Sequence, residues 1–324
     1  MKQLKHYLLL VVFLLTFGLI VGCGNETTTE KPNEQNATQE TKTEEAAFPV
    51  TLTDGLGEKV TIESEPKKIV SLIPSNTEIA YELGLGEKIV GVSNFDNYPE
   101  DVKNKEKIGD LMNLNIEKII SLQPDLVLAH ASGENQQKDG WQQLKDAGIT
   151  VLVIPNAKNF EDVYTSIELV GKATGTTKKA NEVIENMKTK LNEIQEKAKA
   201  IKEEDKVTVW VEVSTDGGLW TTGKGTFMNN MLEIISAKNV AGDQEGWVSF
   251  SEEQVISLNP DVIVTTYAPN AVEQVMARPA WKDVPAVKNK RVYDIHSDLV
   301  DRPGPRLVEG VEELAKVIYP EVFK

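Results

Sequence analysis

Two segments of the chain repeat one pattern, NIEKIISLQPDLVL at residues 115–128 and SEEQVISLNPDVIV at residues 251–264. They share Glu, Ile, Ser, Leu, Pro and Asp at matched offsets. In each segment a residue that favours helix N-caps precedes an apolar helical stretch, and Pro-Asp separates that stretch from an uninterrupted apolar run. Such a run is typical of a buried parallel strand. The repeat therefore predicts one helix–strand unit in each of two parallel sheets.

Outward from the repeat, apolar runs alternate with helical segments along most of the chain. Before residue 170 these runs lie at 68–73, 88–93, 125–129 and 149–154. The helix after the first run is predicted to have Ser75 or Asn76 as its N-cap, with Glu78 in its first turn. Alternation of this kind is typical of an α/β fold with a parallel sheet.

One long stretch separates this region from a second series of strands and helices. Residues 178–204 carry apolar side chains at helical spacing and contain no Gly or Pro, which predicts one long helix. The predicted architecture is two α/β lobes, each built on a central sheet of βα repeats, joined by one long rigid helix. We assign the N-terminal lobe to residues 48–170, the linker helix region to 171–205 and the C-terminal lobe to 206–324.

The amino terminus has the pattern of a secretion signal. A basic start precedes the apolar run YLLLVVFLLTFGLI at 7–20, which is shorter than the roughly 20 residues that span a membrane. We therefore assign a signal peptide to residues 1–22. The run ends in Val-Gly-Cys, which resembles the bacterial lipobox, so Cys23 is expected to carry lipid, including palmitate. Residues 23–47 are polar, which predicts a disordered tether on the extracytoplasmic face of the cell membrane.

Composition excludes several classes of protein. The chain has 324 residues, a formal net charge of −15 and one Cys, which excludes an internal disulfide and a Cys-based zinc site. The acidic balance argues against a nucleic-acid partner, because phosphate binding needs clustered Lys and Arg. Only His130 and His296 follow the signal, too few for a clustered metal centre. No nucleophile elbow is present, and we expect a protein that is not an enzyme.

The repeat also places one Glu in the first turn of each predicted helix, Glu117 and Glu253. A carboxylate there stabilises the positive end of the helix dipole, which is a sufficient structural reason for both residues. Two matched negative points on two lobes would also suit a positively charged partner with two-fold symmetry. The residues alone leave both interpretations open.

Aromatic residues lie at several predicted strand ends and loops, where a cleft between two lobes would form. They are Phe95, Tyr98, Trp220, Trp247 and Tyr267. A large flat ligand favours aromatic and apolar walls with a few fixed polar groups, so these side chains are candidates for binding it. Each could instead pack locally. Arg302 could bind an acidic edge of the ligand or pair with Asp301.

Several segments resemble the substrate-binding proteins of ABC importers for vitamin B12, haem and ferric siderophores. The likeness covers residues 48–324 and rests on the segments 69–78, 90–99, 117–125 and 251–261. Members of that family have the class III periplasmic-binding-protein fold, two lobes joined by one long helix. The resemblance implies that Glu117 and Glu253 bind arginines on the two subunits of a permease dimer, which works with a cytoplasmic ATPase. We expect the free protein to be a monomer.

Within the family the sequence is most similar to the cobalamin-binding branch. The likeness implies that Phe95, Trp247, Asp298 and Arg302 face the ligand. The expected ligand is a cobalamin-like corrinoid, captured between the lobes and delivered to the permease. No resident cofactor and no metal site are predicted.

The sequence departs from that branch at Leu111 and His130, where the branch has two further cleft tryptophans. Trp220 could supply a missing aromatic ring. Haem or a ferric siderophore is therefore an alternative ligand. Haem needs one or two axial ligands, and the conceivable ones are His130, His296, Met112 and Tyr267. A further alternative, an extracytoplasmic two-lobed α/β enzyme, would need a nucleophile or metal constellation that the sequence does not contain.

Overall fold

The computed structural model describes residues 48–324, in which strands and helices alternate. The strands are β1 Val50–Thr53, β2 Lys59–Ile62, β3 Ile69–Ser71, β4 Ile89–Val92, β5 Glu106–Lys107, β6 Leu126–His130, β7 Thr150–Ile154, β8 Thr208–Glu212, β9 Leu219–Thr222, β10 Lys238–Asn239, β11 Trp247–Phe250, β12 Val262–Thr265 and β13 Val292–Asp294. The helices are α1 Pro74–Glu82, α2 Ile116–Leu122, α3 Glu134–Asp146, α4 Phe160–Thr174, α5 Thr177–Ala198, α6 Phe227–Ile234, α7 Glu252–Leu258, α8 Ala271–Met276, α9 Pro285–Lys288, α10 Ser297–Val300 and α11 Leu307–Ile318. Within this part of the chain, none of the helices has the length and apolar character needed to span a membrane.

Two parallel sheets form the centres of two lobes. The N-terminal lobe has the strand order β5-β4-β3-β6-β7 and the C-terminal lobe the order β10-β8-β12-β13. All pairings within these two sheets are parallel. Two antiparallel pairs, β1 with β2 and β9 with β11, accompany them. The α/β fold predicted from the sequence is confirmed.

The repeated segments adopt the same local structure in both lobes. Asn115 caps α2 by accepting from the backbone N–H of Lys118, and Ser251 caps α7 through a capping box with Gln254. Both helices end on a left-handed residue, Gln123 with φ 51° and Asn259 with φ 52°. The predicted N-caps are therefore confirmed.

The Asp that follows each repeated helix fastens the next strand to its neighbour. Asp125 Oδ2 accepts from the backbone N–H groups of Lys67 and Lys68, at 2.8 and 2.9 Å. Asp261 Oδ2 accepts from the backbone N–H and the hydroxyl of Thr208, at 2.8 and 2.7 Å. The shared Pro-Asp pair thus joins the start of β6 to β3 and the start of β12 to β8.

The prediction for the start of α1 is wrong. The helix begins at Pro74 with Ile73 as N-cap and no side-chain cap, because Pro fits the first helical position, where its missing N–H costs nothing. Asn76 is instead buried and donates to the carbonyls of Leu128 and Ala129, at 3.3 and 2.9 Å. This side chain fixes the start of α1 against the end of β6.

The long helix is shorter than predicted, since α5 ends at Ala198 and not near residue 204. Gly175, with φ 75°, ends the preceding helix α4 just before α5 begins. At 1.5 Å per residue, α5 is about 33 Å long. It packs against α4 of the N-terminal lobe and against α6 and α11 of the C-terminal lobe.

One buried apolar cluster runs through both lobes along α5. It includes Leu126 of the first sheet, Met187 of α5 and Val209 of the second sheet. Two further clusters are each confined to one lobe, one around Trp141 and one around Trp210. Since each fully buried large apolar side chain contributes about 1.5–3 kcal/mol, the shared cluster holds the two lobes firmly together along this helix.

Candidate functional site

A cavity of about 510 Å³ lies between the two lobes. On the N-terminal side it is bounded by residues that follow β3 and end β6, at the sheet edge where α/β proteins bind ligands. Its C-terminal side comes from the turns around β9 and β11 and from the loop after α10. Residues that line it include Ser75, His130, Phe227, Trp247, Asp301 and Arg302. The volume is within the usual range for small-molecule sites.

The C-terminal lobe presents aromatic rings at this cavity. Trp247 lines it, is 46% exposed and packs edge-on against Phe227, with ring centroids 6.2 Å apart. Trp220 pairs with Ser249 across β9 and β11, which places its side chain on the same face as Trp247. Phe227 is a neighbour that the sequence interpretation missed. Trp247 and Phe227 provide an apolar wall for a flat ligand. Trp220 does not line the cavity, and its indole N–H donates to the carbonyl of Asp216 at 2.9 Å.

Phe95 lies on the loop after β4, and its side chain is 65% exposed. The loop itself is fixed. Ser93 Oγ donates to Asp96 Oδ2 at 2.6 Å, and Lys107 Nζ donates to the backbone carbonyls of Ser93 and Asp96 at 3.2 and 3.0 Å. Burial raises the pKa of Asp96. Phe95 is not among the residues that line the cavity. An exposed apolar ring on a fixed loop can nevertheless contact a large ligand without further ordering.

Arg302 lines the cavity, but most of its N–H groups bind the protein. Nη1 donates to Glu78 Oε1 at 2.9 Å and to Asn97 Oδ1 at 2.8 Å. Nη2 donates to the carbonyl of Phe95 at 3.3 Å and lies 2.7 Å from Asp298 Oδ1. Asn97 in turn donates to Asp298 Oδ2 at 2.8 Å. Asp298 and Arg302 therefore connect the C-terminal lobe to the Phe95 loop.

Glu78 extends this connection and was not foreseen as a site residue. Its side chain is 2% exposed and accepts from Arg306 as well, with Nε to Oε2 at 2.9 Å and Nη2 to Oε1 at 2.7 Å. The guanidinium of Arg306 stacks on the ring of Tyr98, 3.9 Å from its centroid. Tyr98 thus supports the bridge between the lobes and does not line the cavity.

Tyr267 is directed into the C-terminal lobe, away from the cavity. Its hydroxyl donates to Glu212 Oε1 at 2.9 Å, and Arg278 binds both oxygens of Glu212 at 2.6 and 2.8 Å. Burial, together with the charge of Glu212, raises the pKa of Tyr267 to about 12. The hydroxyl therefore stays a donor at neutral pH.

Of the conceivable axial ligands, His130 lines the cavity. Met112 is 70% exposed and is not among the lining residues, and the same holds for His296, whose side chain is 69% exposed. Ser75 also lines the cavity, whereas the sequence assigned it a capping role. Leu111 contributes its backbone carbonyl to Gln137 Nε2, at 3.2 Å.

Glu117 and Glu253 are exposed in the first turns of α2 and α7. A hydrogen bond from Ser251 lowers the pKa of Glu253, so this carboxylate is charged at neutral pH. Neither residue lines the cavity. Cys23 lies outside the described residues. Among residues 48–324, no group of His, Cys, Asp and Glu is arranged to hold a metal ion.

Two α/β lobes joined along one helix, with a ligand-sized cavity between them, define a solute-binding protein. The chain matches the periplasmic binding protein family over residues 69–299, and it belongs to that family. An uncharacterised ABC transporter substrate-binding lipoprotein of Bacillus subtilis is 53% identical over 311 residues, which cover 96% of each chain. The protein is therefore a substrate-binding protein of an ABC transporter and not an enzyme.

More distant relatives include proteins named for their ligands. A vitamin B12-binding protein of Vibrio parahaemolyticus is 28% identical over 79% of this chain and 91% of its own. The crystal structure of a possible iron-binding protein of Staphylococcus epidermidis is 39% identical, with a TM-score of 0.71 over 79% of this chain and 100% of its own. The periplasmic vitamin B12-binding protein of Vibrio cholerae is 25% identical, with a TM-score of 0.67 over 78% of this chain and 96% of its own.

Proposed function

We propose that this substrate-binding protein captures a cobalamin-like corrinoid in the cavity between its lobes and delivers it to an ABC permease. The observation that carries the proposal is a set of three exposed aromatic rings, Trp247 in the cavity wall, Trp220 on the same face of its β-hairpin and Phe95 on a fixed loop of the other lobe. A large flat macrocycle can bury both of its faces between such rings. The vitamin B12-binding relatives support the same ligand class.

A second ligand class, haem or a ferric siderophore, is supported by a different observation. The Staphylococcus epidermidis structure is described as possibly iron-binding and shares 39% of its residues with this chain. The same aromatic walls would accept a porphyrin. The role in transport is the same for either ligand.

Titration of the purified protein with cyanocobalamin, haemin and a ferric hydroxamate tests the ligand. We expect saturable heat with cyanocobalamin, and an affinity at least about tenfold lower in Trp247→Ala, because a buried aromatic contact of this kind contributes about 1–3 kcal/mol. Ile120→Ala, an exposed apolar residue on α2, is the control and should bind as the wild type does. No heat with cyanocobalamin, together with a Soret shift on adding haemin, would favour the second class.

We further propose that Glu117 and Glu253 dock the loaded protein on the two permease subunits. Their exposure, their charge and their equivalent places on the two lobes support this role. Glu117→Ala with Glu253→Ala should retain ligand affinity but lose uptake by whole cells. Glu161→Ala with Glu309→Ala removes the same charge from two other exposed first-turn positions and should leave uptake unchanged. Normal uptake in the first double variant would refute the docking role.

The protein is also proposed to be held outside the cytoplasmic membrane by lipid on Cys23. The lipoprotein name of the Bacillus subtilis relative supports this placement. Replacing Cys23 with Ala should release the protein from the membrane fraction, and retention in that fraction would contradict the anchor.

A further inference from the structure

His130 has one ring nitrogen engaged by the protein and one left for the cavity. Its Nδ1 accepts from the backbone N–H of Ser132 at 3.2 Å and lies 2.8 Å from Ser132 Oγ. A backbone N–H can only donate, so Nδ1 carries the lone pair and the proton of the neutral ring sits on Nε2. Burial lowers the pKa of His130 to about 4, which keeps the ring neutral at pH 7.

Among residues 48–324, His130 forms side-chain hydrogen bonds only through Nδ1. His130 is 7% exposed, and what remains exposed lies in the cavity wall. The Nε2–H is therefore a fixed donor beside a cavity, with no protein acceptor in the described part of the chain. Nε2 keeps some access to solvent, so a ligand oxygen can take the place of water as its acceptor.

Ser75 provides a second polar group beside it. The residue is 3% exposed and lines the same cavity, and its Oγ has no hydrogen-bond partner in the described structure. Asn76 fixes this end of α1 to the carbonyl of Ala129, the residue before His130. Ser75 and His130 thus line the same cavity at the carboxyl ends of the adjacent parallel strands β3 and β6, each with a polar group that no described residue pairs.

We propose that His130 Nε2–H and Ser75 Oγ form a polar floor that binds an oxygen acceptor on the edge of the ligand. The acceptor is an amide carbonyl or a carboxylate oxygen, and His130 is not an axial ligand to a metal carried in the cavity. Axial ligation through Nε2 would require the proton to move to Nδ1, which would break the bond from the Ser132 N–H. The proposal rests on the transport function and specifies how the same cavity selects its ligand.

The tautomer can be measured without any ligand. Long-range ¹H–¹⁵N NMR correlations distinguish the two neutral forms, and the chain has only three His residues. His130→Phe assigns the signals. We expect the Nε2–H form at pH 7, and the Nδ1–H form would overturn the proposal.

Variants test the donor in the bound state. His130→Phe keeps an aromatic ring but removes the donor, and should weaken cyanocobalamin binding about tenfold. His130→Gln restores an N–H at nearly the same place and should recover most of that loss. Ser75→Ala should cost about threefold. Gln143→Ala, at an exposed side chain on α3 outside the cavity, is the control. Equal affinity for wild type, His130→Phe and Ser75→Ala would overturn the proposal.

Absorbance separates a donor from an axial ligand. Aquocobalamin has an exchangeable water on cobalt, so a coordinating His would displace it and shift the visible spectrum. We expect binding without such a shift. A shift that is present in the wild type and absent from His130→Phe would overturn the proposal.

A haemin arm distinguishes the two oxygen sources, since haemin offers carboxylates where cyanocobalamin offers amides. If cyanocobalamin does not bind and haemin does, the corrinoid assignment fails. The polar floor is then tested by measuring the haemin affinity of the same variants. Loss of haemin affinity in His130→Phe, restored in His130→Gln and without an axial-histidine spectrum, would support it. A histidine-ligated spectrum would refute it.

Discussion

The two lobes use the carboxyl edges of their sheets differently. In the N-terminal lobe, β3 and β6 lead to Ser75 and His130, whose free polar atoms are not paired within the described protein. In the C-terminal lobe, β8 ends at Glu212, which is fully buried and accepts from Arg278, Tyr267 and the indole of Trp210. The unpaired polar groups of the first edge face the cavity, whereas the charged group of the second edge is paired within its lobe. Thr266 Oγ1, at the second edge, is also buried without a partner among residues 48–324, but Thr266 does not line the cavity.

This difference occurs although the two edges are built by the same repeated unit. Both units begin at a capped helix and fasten the strand through Asp125 or Asp261. The strands diverge only at their ends, where His130 occupies the position that matches Thr266 in the repeat. The shared unit therefore supplies the fold, and a few residues at the strand ends decide whether an edge serves recognition or stability.

The largest expected effect is at the internally paired edge. Glu212→Ala leaves the guanidinium of Arg278 without its carboxylate, and we expect a loss of about 4 kcal/mol in the free energy of unfolding, measured in urea. Glu273→Ala, at an exposed carboxylate on α8, should leave the urea midpoint unchanged.

A double variant sharpens this result. Glu212→Met with Arg278→Met removes both charges, and it should be more stable than Glu212→Ala, because the single change leaves a charge unpaired. If Glu212→Ala is no less stable than the wild type, the paired edge is not a source of stability and the contrast between the lobes fails.

At the carboxyl edge of the N-terminal sheet, His130 should make the stability of the protein depend on pH. In the unfolded chain His130 binds a proton near pH 6.5, whereas burial holds its pKa at about 4 in the folded protein. The unfolded state therefore binds more protons between these values, and the folded state loses up to about 3 kcal/mol as the pH falls from 6.5 to 4.

Urea unfolding of wild type and His130→Phe at pH 7 and pH 4 measures this loss. The variant cannot bind a proton at this position, so its stability relative to wild type should rise by about 3 kcal/mol at the lower pH. Gln143→Ala, at an exposed side chain on α3 that does not titrate, should follow the wild type at both pH values. If the free energies of unfolding of wild type and His130→Phe differed by the same amount at both pH values, burial would not be lowering the pKa of His130.

Much of this contrast lies beyond what the sequence could predict. The repeat predicts both helix–strand units, because caps, Pro-Asp and apolar runs act within a few residues. Asn76 was assigned a capping role, because Asn favours N-caps. Its side-chain amide instead donates to the carbonyl of Ala129 in β6. The direction of Tyr267 depends on Glu212 and Arg278, which are distant in sequence, and no local pattern indicates that pairing.

Glu78 shows the same limit at the place where the two lobes meet. Its partners, Arg302 and Arg306, follow it by more than 200 residues, at separations of 224 and 228. Local reasoning placed the carboxylate in a helix first turn. The pairing exists only because the packing along α5 brings the lobes together.

The smallest expected effect on stability is at this bridge between the two edges. Glu78→Gln keeps the side-chain volume and one acceptor oxygen for the two arginines, unlike the truncation at Glu212, but removes the negative charge. We therefore expect a loss of about 2 kcal/mol, less than at Glu212. Glu309→Gln, an exposed carboxylate on α11, is the matched control and should leave the urea midpoint unchanged.

The ion pairs of Glu78 should also affect ligand affinity, whereas the Glu212–Arg278 pair should not. Because Arg302 also holds the Phe95 carbonyl and Asp298, loss of its Glu78 partner should loosen the Phe95 loop and weaken ligand binding by several-fold. Glu212→Met with Arg278→Met should leave that affinity unchanged, since neither residue lines the cavity. If Glu78→Gln and wild type bind the ligand with equal affinity, the Glu78 ion pairs contribute only to stability and do not shape the cavity between the lobes.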